Sequence, residues 1–110
     1  KGGTEMPVME KKVLSLLGLS AKSGNLVSGE FSTEKAVKEH KAALVVVAED
    51  ASDNTKKSFS NMCAYYHVPM IVFADKETLG HAIGKQFRAS VAVTQDGFAK
   101  AILKLTESDN

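Results

Sequence analysis

Cys63 and His67 have the spacing of a metal-ligand pair, because they lie four positions apart in a segment that predicts a helix. A structural zinc ion needs about three or four ligands. The other histidines, His40 and His81, fall in separate predicted elements. Cys63 also shares a helical face with Phe59. We therefore expect a buried structural thiol and no metal site.

No group of residues has the arrangement of an enzyme's active centre. The sequence lacks a nucleophile elbow, a Cys–His signature and paired carboxylates in apolar surroundings. Gly80 and Gly84 precede Lys85, but the spacing of a phosphate-binding loop is absent, so these glycines are expected to permit close packing and to end a helix. We expect a non-catalytic protein that needs no cofactor and no small-molecule substrate.

Cations lie near the starts of two predicted helices and in one loop. They are Lys35, Lys38, Lys56, Lys57, Lys85 and Arg88. Loops at one edge of a sheet converge, so segments 28–35, 49–57 and 85–91 are expected to form one surface with two phosphate-attracting helix N-termini. Acidic residues are interleaved with these cations. The residues alone therefore leave a nucleic-acid surface and an ordinary solvated surface as equal alternatives.

Composition indicates a soluble globular protein of one domain. The chain has 110 residues, is 44% hydrophobic and 25% charged, and carries a net charge of +1, so it resembles neither a disordered nor a strongly basic protein. One cysteine excludes an intrachain disulfide, and the longest strongly apolar run, residues 42–48, is too short to cross a membrane. We expect one domain over residues 6–106, loose termini at 1–5 and 107–110, and a cytoplasmic location.

Helical and extended patterns alternate along the chain, beginning and ending with a helix. The first helix ends at Gly24 and Asn25. It is followed by a strand at 26–28 and a helix from Ser32 to His40 with Ser32 as its N-cap. A strand at 43–48 precedes a helix that is capped by Ser52 or Asp53 and stopped by Pro69. A strand at 70–74, a helix capped by Asp75, a strand at 90–94 and a helix from Asp96 complete the order. This alternation predicts a three-layer α/β/α sandwich.

Several segments in this order resemble the L-seven-Ae (L7Ae) family of kink-turn RNA-binding ribosomal proteins, and among its members the YlxQ-type bacterial proteins. They are LVSGE at 26–30, KAV at 35–37, ALVVVAEDAS at 43–52, NTKK at 54–57, VP at 68–69, LGHAIGK at 79–85, VAVT at 91–94 and GFA at 97–99. The resemblance covers residues 14–105. It implies an α/β/α fold around a four-stranded mixed sheet, no catalysis, and a monomer that binds kink-turns or other structured RNA, including ribosomal RNA.

The resemblance also implies which residues contact RNA. The glycine of the family's recognition segment falls on Gly29 and its lysine on Lys35. The family's threonine position falls on Glu30, and its two base-reading positions, an asparagine and a glutamate, fall on Phe31 and Ser32. A further contact position falls on Ser52. The family's hydrophobic loop before the last strand falls on Arg88, Ala89 and Ser90.

Phe31 replaces the polar residue with which the family reads a base, and its ring can neither donate nor accept a hydrogen bond. Two roles remain open. The ring stacks on an exposed base, or it packs as a staple that fixes the start of the helix to the core, which is the interpretation favoured here. Ser32 is shorter than the family's glutamate and is expected to cap the helix.

Two other functions remain as alternatives to RNA binding. One is a protein-interaction module on the same fold, and the weaker one is an accessory domain of an enzyme. A positive surface joining Lys35, Lys57 and Arg88 would favour RNA, whereas a neutral surface with an exposed Phe31 would favour a protein partner.

Overall fold

A computed structural model describes residues 7–107, which form five helices and a four-stranded sheet. In chain order the elements are α1 (Val8–Lys22), β1 (Leu26–Ser28), α2 (Glu30–Lys38), β2 (Leu44–Val47), α3 (Asp53–Tyr66), β3 (Met70–Val72), α4 (Lys76–Ala82), β4 (Ser90–Val93) and α5 (Asp96–Glu107). The predicted alternation of helices and strands is confirmed. No helix in this described part is both long and apolar enough to cross a bilayer.

The sheet has the order β1-β4-β2-β3 and is mixed, as expected. β4 runs antiparallel to both β1 and β2, and β3 runs parallel to β2. Every residue of β2 and β4 is buried, because these central strands are covered on both faces. This explains the run of valines without alternation at 45–47. β3 lies at one edge of the sheet, where Val72 is 47% exposed.

Two apolar layers hold the helices against the sheet. On one face, Leu17 of α1, Leu79 of α4 and Ile102 of α5 pack in the same core as Val46. On the other face, Val37 and Phe59 pack with the neighbouring valines of β2, and α2 and α3 thereby cover that face. Each fully buried side chain of this size stabilises the fold by about 1.5–3 kcal/mol. The three-layer α/β/α sandwich is therefore confirmed.

The strand directions bring the predicted cation-bearing segments to one edge of the sheet. Because β4 is antiparallel to β1 and β2, its first residue lies beside their last residues, and Ser90 pairs with Val47. The backbone N–H of Ala48 donates to the carbonyl of Ala89 (2.8 Å), and that of Glu49 donates to Ala74 (2.6 Å). The carboxyl ends of β1, β2 and β3 thus meet the start of β4, and we call this the carboxyl edge.

The start of α2 differs from the sequence prediction. Gly29, not Ser32, is the N-cap, with φ 93° and ψ 158°. A glycine is favoured there because other residues rarely adopt a positive φ. The N–H of Gly29 donates to the carbonyl of Ser90 (2.9 Å), and Thr33 donates to the carbonyl of Gly29 (2.9 Å). The helix therefore follows β1 directly and ends at Lys38, and His40 beyond it has a left-handed φ of 62°.

The helices α3 and α4 both begin at a side-chain cap. The side chains of Ser52 and Asp75 accept hydrogen bonds from Thr55 and Thr78 and cap α3 and α4. Of the two caps predicted for α3 the structure has Ser52, and the predicted cap at Asp75 is confirmed. α3 ends at Tyr66, followed by a left-handed His67. α5 includes Glu107, with which the predicted polar tail begins. Residues 108–110 and residues 1–6 lie outside the described part of the chain.

Candidate nucleic-acid interface

The recognition segment predicted from the sequence forms the first turn of α2, at the carboxyl edge. Gly29 caps the helix without any side-chain hydrogen bond, and Glu30 and Phe31 are exposed on the first turn. A Cβ on Gly29 would meet no atom within 4 Å, so the space in front of this glycine is open. We call a helix start uncapped when it lacks a side-chain cap, and its backbone N–H groups are donors suited to an anion such as phosphate.

Phe31 is the most exposed large apolar side chain of this edge, with 79% of its surface accessible. The residues of α2 that face the core are Thr33, Ala36 and Val37. Phe31 projects from the opposite side of the helix, because a helix turns by about 100° per residue. The interpretation of Phe31 as a staple to the core is therefore wrong. Ser32 is half-buried within the first turn and is not the cap.

Lys35 lies one turn into α2 and is exposed. Within residues 7–107 it forms no ion pair, and the same is true of Lys57 on α3. Lys38 differs, because its ammonium group lies 2.6 Å from the carboxylate of Glu34. This hydrogen bond, reinforced by the charge of Glu34, raises the pKa of Lys38 above its ordinary value. Lys35 is thus available to a ligand, whereas Lys38 already has a partner.

The start of α3 lies across a polar groove from the start of α2. Ser52 accepts a hydrogen bond from the N–H of Thr55 (3.1 Å), and its hydroxyl donates to the hydroxyl of that threonine (3.0 Å). The groove is lined by Glu30, Ser52, Asn54, Thr55, Lys57, Ser58 and Asn61. The sequence predicts no RNA contact at Asn54, Ser58 or Asn61. Their spacing of four and three residues is the signal that would have placed them on one polar helix face.

Arg88 ties the loop before β4 to the end of β1. Its Nε donates to the hydroxyl of Ser28 (2.9 Å), and its Nη1 donates to the carbonyl of Phe87 (2.7 Å). Its backbone N–H donates to the carbonyl of Lys76 (3.1 Å). These bonds hold the half-buried guanidinium beside the start of α2. Arg88 therefore positions this loop relative to the recognition segment.

The other two loop residues predicted to contact RNA are less exposed than that prediction requires. Ser90 is fully buried, and its hydroxyl donates to the hydroxyl of Thr33 (3.4 Å). Ala89 is half-buried and packs against the core beneath α2 and α3. Ser90 faces inward because it begins β4, a central strand covered on both sides, and Ala89 directly precedes that strand. The apolar side chain that the loop does expose is Phe87, 60% accessible, which the sequence analysis missed.

Residues 11–104 match the sequence model of the ribosomal protein L7Ae/L30e/S12e/Gadd45 family. The chain belongs to this family. It is 41% identical over 92 residues to the RNA-binding protein YlxQ of Bacillus subtilis (strain 168), covering 84% of this chain and 92% of the relative. It is 36% identical over 97 residues to the YlxQ of Enterococcus faecium, covering 88% and 93%.

Solved structures give the same picture of the fold of this L7Ae-family protein. A Bacillus halodurans C protein of unknown function superposes with a TM-score of 0.83 at 38% identity, covering 86% of this chain and 95% of the other. The Giardia lamblia 15.5kD RNA binding protein superposes with a TM-score of 0.78, covering 96% and 91%. Its identity is 20%, so this likeness concerns the fold.

The charge of the carboxyl edge is balanced in this L7Ae-family protein. Segments 28–35, 49–57 and 85–91 contain five cations and five carboxylates, namely Lys35, Lys56, Lys57, Lys85 and Arg88 against Glu30, Glu34, Glu49, Asp50 and Asp53. Asp50 also accepts a hydrogen bond from the backbone N–H of Lys76 (2.9 Å). The surface therefore combines separate cations, helix-start N–H groups and exposed rings, rather than a broad positive field.

Cys63 lies away from this edge, in the core under α3. It is 3% exposed, and the predicted burial of the thiol is confirmed. Burial raises the pKa of Cys63 to about 11 because the thiolate would lose its hydration. His67, four positions on, is exposed at the end of α3. Within residues 7–107 no cluster of three or more His, Cys, Asp or Glu side chains could hold a metal ion.

Proposed function

We propose that this protein is a non-catalytic RNA-binding protein that takes structured RNA at its carboxyl edge. The proposal rests on the agreement between the resemblance and the structure about residues 29–35. The family's recognition segment falls on residues 29–35, and those residues form an open, uncapped helix start beside an unpaired Lys35. Relatives that are 36–41% identical over most of the chain are RNA-binding proteins, which supports the same function.

The recognition segment can hold RNA by its backbone and by one lysine. Gly29 has no Cβ, so a sugar-phosphate chain can come close to the helix start. The first-turn N–H groups of α2 donate to phosphate oxygens, and Lys35 neutralises a neighbouring phosphate or donates to a guanine edge. The protein would bind the bent form of the RNA better than the open form and would shift the population toward it.

The finer proposal concerns the RNA and the full set of contacts. The partner is a kink-turn or another structured RNA, such as ribosomal RNA, bound by a monomer in the cytoplasm. Gly29, Glu30, Phe31, Lys35 and Ser52 face the RNA directly. Arg88 acts by positioning the loop whose exposed residue is Phe87, and Ala89 and Ser90 support that loop from beneath.

A protein-interaction module remains the second candidate, and two observations favour it. Phe31 and Phe87 are exposed, and the cations of the edge are matched by carboxylates. Lys35 and the uncapped helix start favour RNA instead, because both are suited to phosphate and neither is suited to an apolar protein surface.

A gel-shift titration tests the proposal directly. We expect the protein to bind a kink-turn RNA more tightly than a straight duplex built from the same two stems. Lys35→Ala should weaken kink-turn binding, and Lys100→Ala, on the exposed side of α5, serves as the control. Equal, weak binding to both RNAs at physiological salt would contradict the proposal and leave the protein-interaction module.

A further inference from the structure

We infer that Phe31 is a stacking platform, so that this protein selects RNA that presents an unpaired, unstacked base beside a helical stem. This inference rests on the proposed function and specifies the class of RNA that the same surface takes. The structural basis is a phenylalanine ring, 79% exposed, on the first turn of a helix whose start is open. Within residues 7–107 the ring belongs to neither of the two apolar core clusters.

The start of α2 and the ring of Phe31 together match the two chemical parts of a nucleotide, its phosphate and its base. The first-turn N–H groups of α2 have no side-chain acceptor at the cap and can hold a phosphate. Phe31 projects from the same turn, on the side opposite the buried Thr33, Ala36 and Val37. A nucleotide held by its phosphate at the helix start can therefore lay its base against the ring. A base paired within a stem could not, because its faces are already stacked on its neighbours.

The chemistry of phenylalanine sets the kind of selection. The ring carries no donor or acceptor, so it cannot distinguish bases by their hydrogen-bonding edges. Every base has a π-face, and stacking on an aromatic side chain tolerates different sequences. Selection at Phe31 should therefore depend on whether the base is unpaired and only weakly on its identity. The base pairs next to the kink should therefore contribute less to the affinity than an unpaired base within reach of the ring.

Cations and carboxylates are equal in number at the carboxyl edge, so stacking on Phe31 should contribute more to RNA affinity than it would on a strongly basic surface. With five cations and five carboxylates in the converging segments, the edge attracts phosphate only through separate contacts. The surroundings of the ring also favour RNA over an apolar protein partner. Glu30 and Lys35 beside Phe31 are exposed and charged, so the ring is an isolated aromatic group and not part of a continuous apolar patch.

The experiment uses RNA hairpins with the fluorescent base 2-aminopurine in a short bulge, because its emission is quenched when it stacks. One hairpin presents this base unpaired beside an intact stem, and a second places it in a closed pair. The protein variants are Phe31→Leu and Phe31→Tyr. The matched control is Tyr65→Leu, because Tyr65 is 77% exposed but lies on α3 away from the carboxyl edge.

We expect wild type to bind the unpaired hairpin more tightly and to quench its emission. Phe31→Leu should weaken binding about 5- to 150-fold, the usual worth of one base–aromatic stack, and abolish the quench. Phe31→Tyr should keep the affinity and the quenching of wild type, because tyrosine retains the aromatic ring. Tyr65→Leu should behave as wild type. Circular dichroism melting of each variant checks that the fold is intact.

Three results would overturn the inference, and they have different consequences for the proposed function. Unchanged affinity and quenching in Phe31→Leu would remove the ring from the RNA site, while RNA binding itself remained. Preference for the closed pair would show that Phe31 does not select unpaired bases. Failure of wild type to bind any structured RNA would contradict the proposed function as well.

Discussion

Two lysines of α2, three positions apart, differ in what surrounds them. Lys38 is held by the carboxylate of Glu34, whereas Lys35 has no ion-pair partner in residues 7–107. A ligand that binds Lys38 must compete with an existing contact, and one that binds Lys35 need not. The sequence already favours this difference, because Glu34 and Lys38 are four positions apart in the order that suits a helical ion pair, whereas Phe31 stands four positions before Lys35. The side-chain geometry makes Lys35 the better candidate.

Lys35→Ala should weaken binding to structured RNA by roughly 1–3 kcal/mol, since it removes a phosphate or guanine contact. Its melting temperature should stay near that of wild type, because the side chain is exposed and unpaired. Lys38→Ala is the matched control on the same helix and should change RNA affinity much less. Equal losses of affinity in the two variants would mean that the helix contributes only a diffuse positive charge.

Cys63 gives a pH-dependent test of the core. Burial raises the pKa of its thiol to about 11, whereas in the unfolded chain the thiol ionises near pH ~8.5. Between these pH values the unfolded state loses its proton and the folded state keeps it. The free energy of unfolding should therefore fall as the pH rises from about 9 to 11, and this contribution should be fully present below pH ~8.5.

The same thiol should react slowly with a thiol reagent in the native protein and quickly in denaturant, because the thiolate is the reactive form. Cys63→Ser keeps the size of the side chain and should remove the part of the high-pH destabilisation that the thiol causes. Rapid labelling of the native protein at neutral pH would show that Cys63 is accessible, contrary to the structure.

At the scale of elements, the sequence predicted the order and type of helices and strands, the cap at Asp75, and Ser52 as one of two caps for α3. These features depend on local patterns that few neighbours can override. The start of α2 was misplaced because Ser32 resembles an N-cap, whereas the bond from Gly29 to Ser90 begins the helix earlier. That bond joins residues 61 positions apart, so no local pattern reveals it.

The candidate site was predictable only in part, for the same reason. The resemblance located residues 29–35 and Ser52, which the structure brings to one groove or to its border. It also selected Ala89 and Ser90, which face the core, and missed Phe87, which is exposed. Which residue of this loop is exposed depends on where β4 enters the sheet, and that position is set by pairing with β1 and β2.

Packing between α4 and the loop before β4 gives a test at this scale. A Cβ on Gly80 would lie 2.5 Å from the carbonyl oxygen of Gln86 and 2.9 Å from the backbone N of Phe87. Gly80→Ala should therefore displace the loop, destabilise the fold by about 1–3 kcal/mol and weaken RNA binding. Thermal melting and a gel-shift titration on the same variant measure the two effects.

Gly18→Ala is the matched control, because its Cβ would lie 2.8 Å from the carbonyl oxygen of Ala82, in the packing of α1 against α4. It should lower the melting temperature and leave RNA affinity unchanged under conditions where the protein is folded. If both variants lose the same affinity, the effect comes from overall stability and the loop has no specific role.

At the scale of the whole molecule, strand direction determines the candidate surface. One antiparallel central strand places the loop at 84–89 beside the ends of β1 and β2, and the parallel pair of β2 and β3 adds the start of α4 to the same edge. The charges that gather there cancel, and the protein as a whole carries +1. Affinity for RNA should therefore depend on a few defined contacts and not on a general positive field.

The salt dependence of RNA affinity measures how many phosphates the protein neutralises. A protein that neutralises few phosphates should show a shallow slope of log affinity against log salt concentration, about −2 to −3. Lys35→Ala should reduce the steepness by about 1. A slope of about −6 or steeper would indicate a broad array of phosphate contacts, which the distribution of charges does not supply.

The central claim is that the carboxyl edge binds structured RNA, and an NMR titration of the ¹⁵N-labelled protein with a kink-turn RNA tests it most directly. We predict that the largest amide shift changes occur at residues 29–35, 52–61 and 85–90, with small changes along the exposed faces of α1 and α5. Changes concentrated on α1 and α5, or none at saturating RNA, would contradict the account.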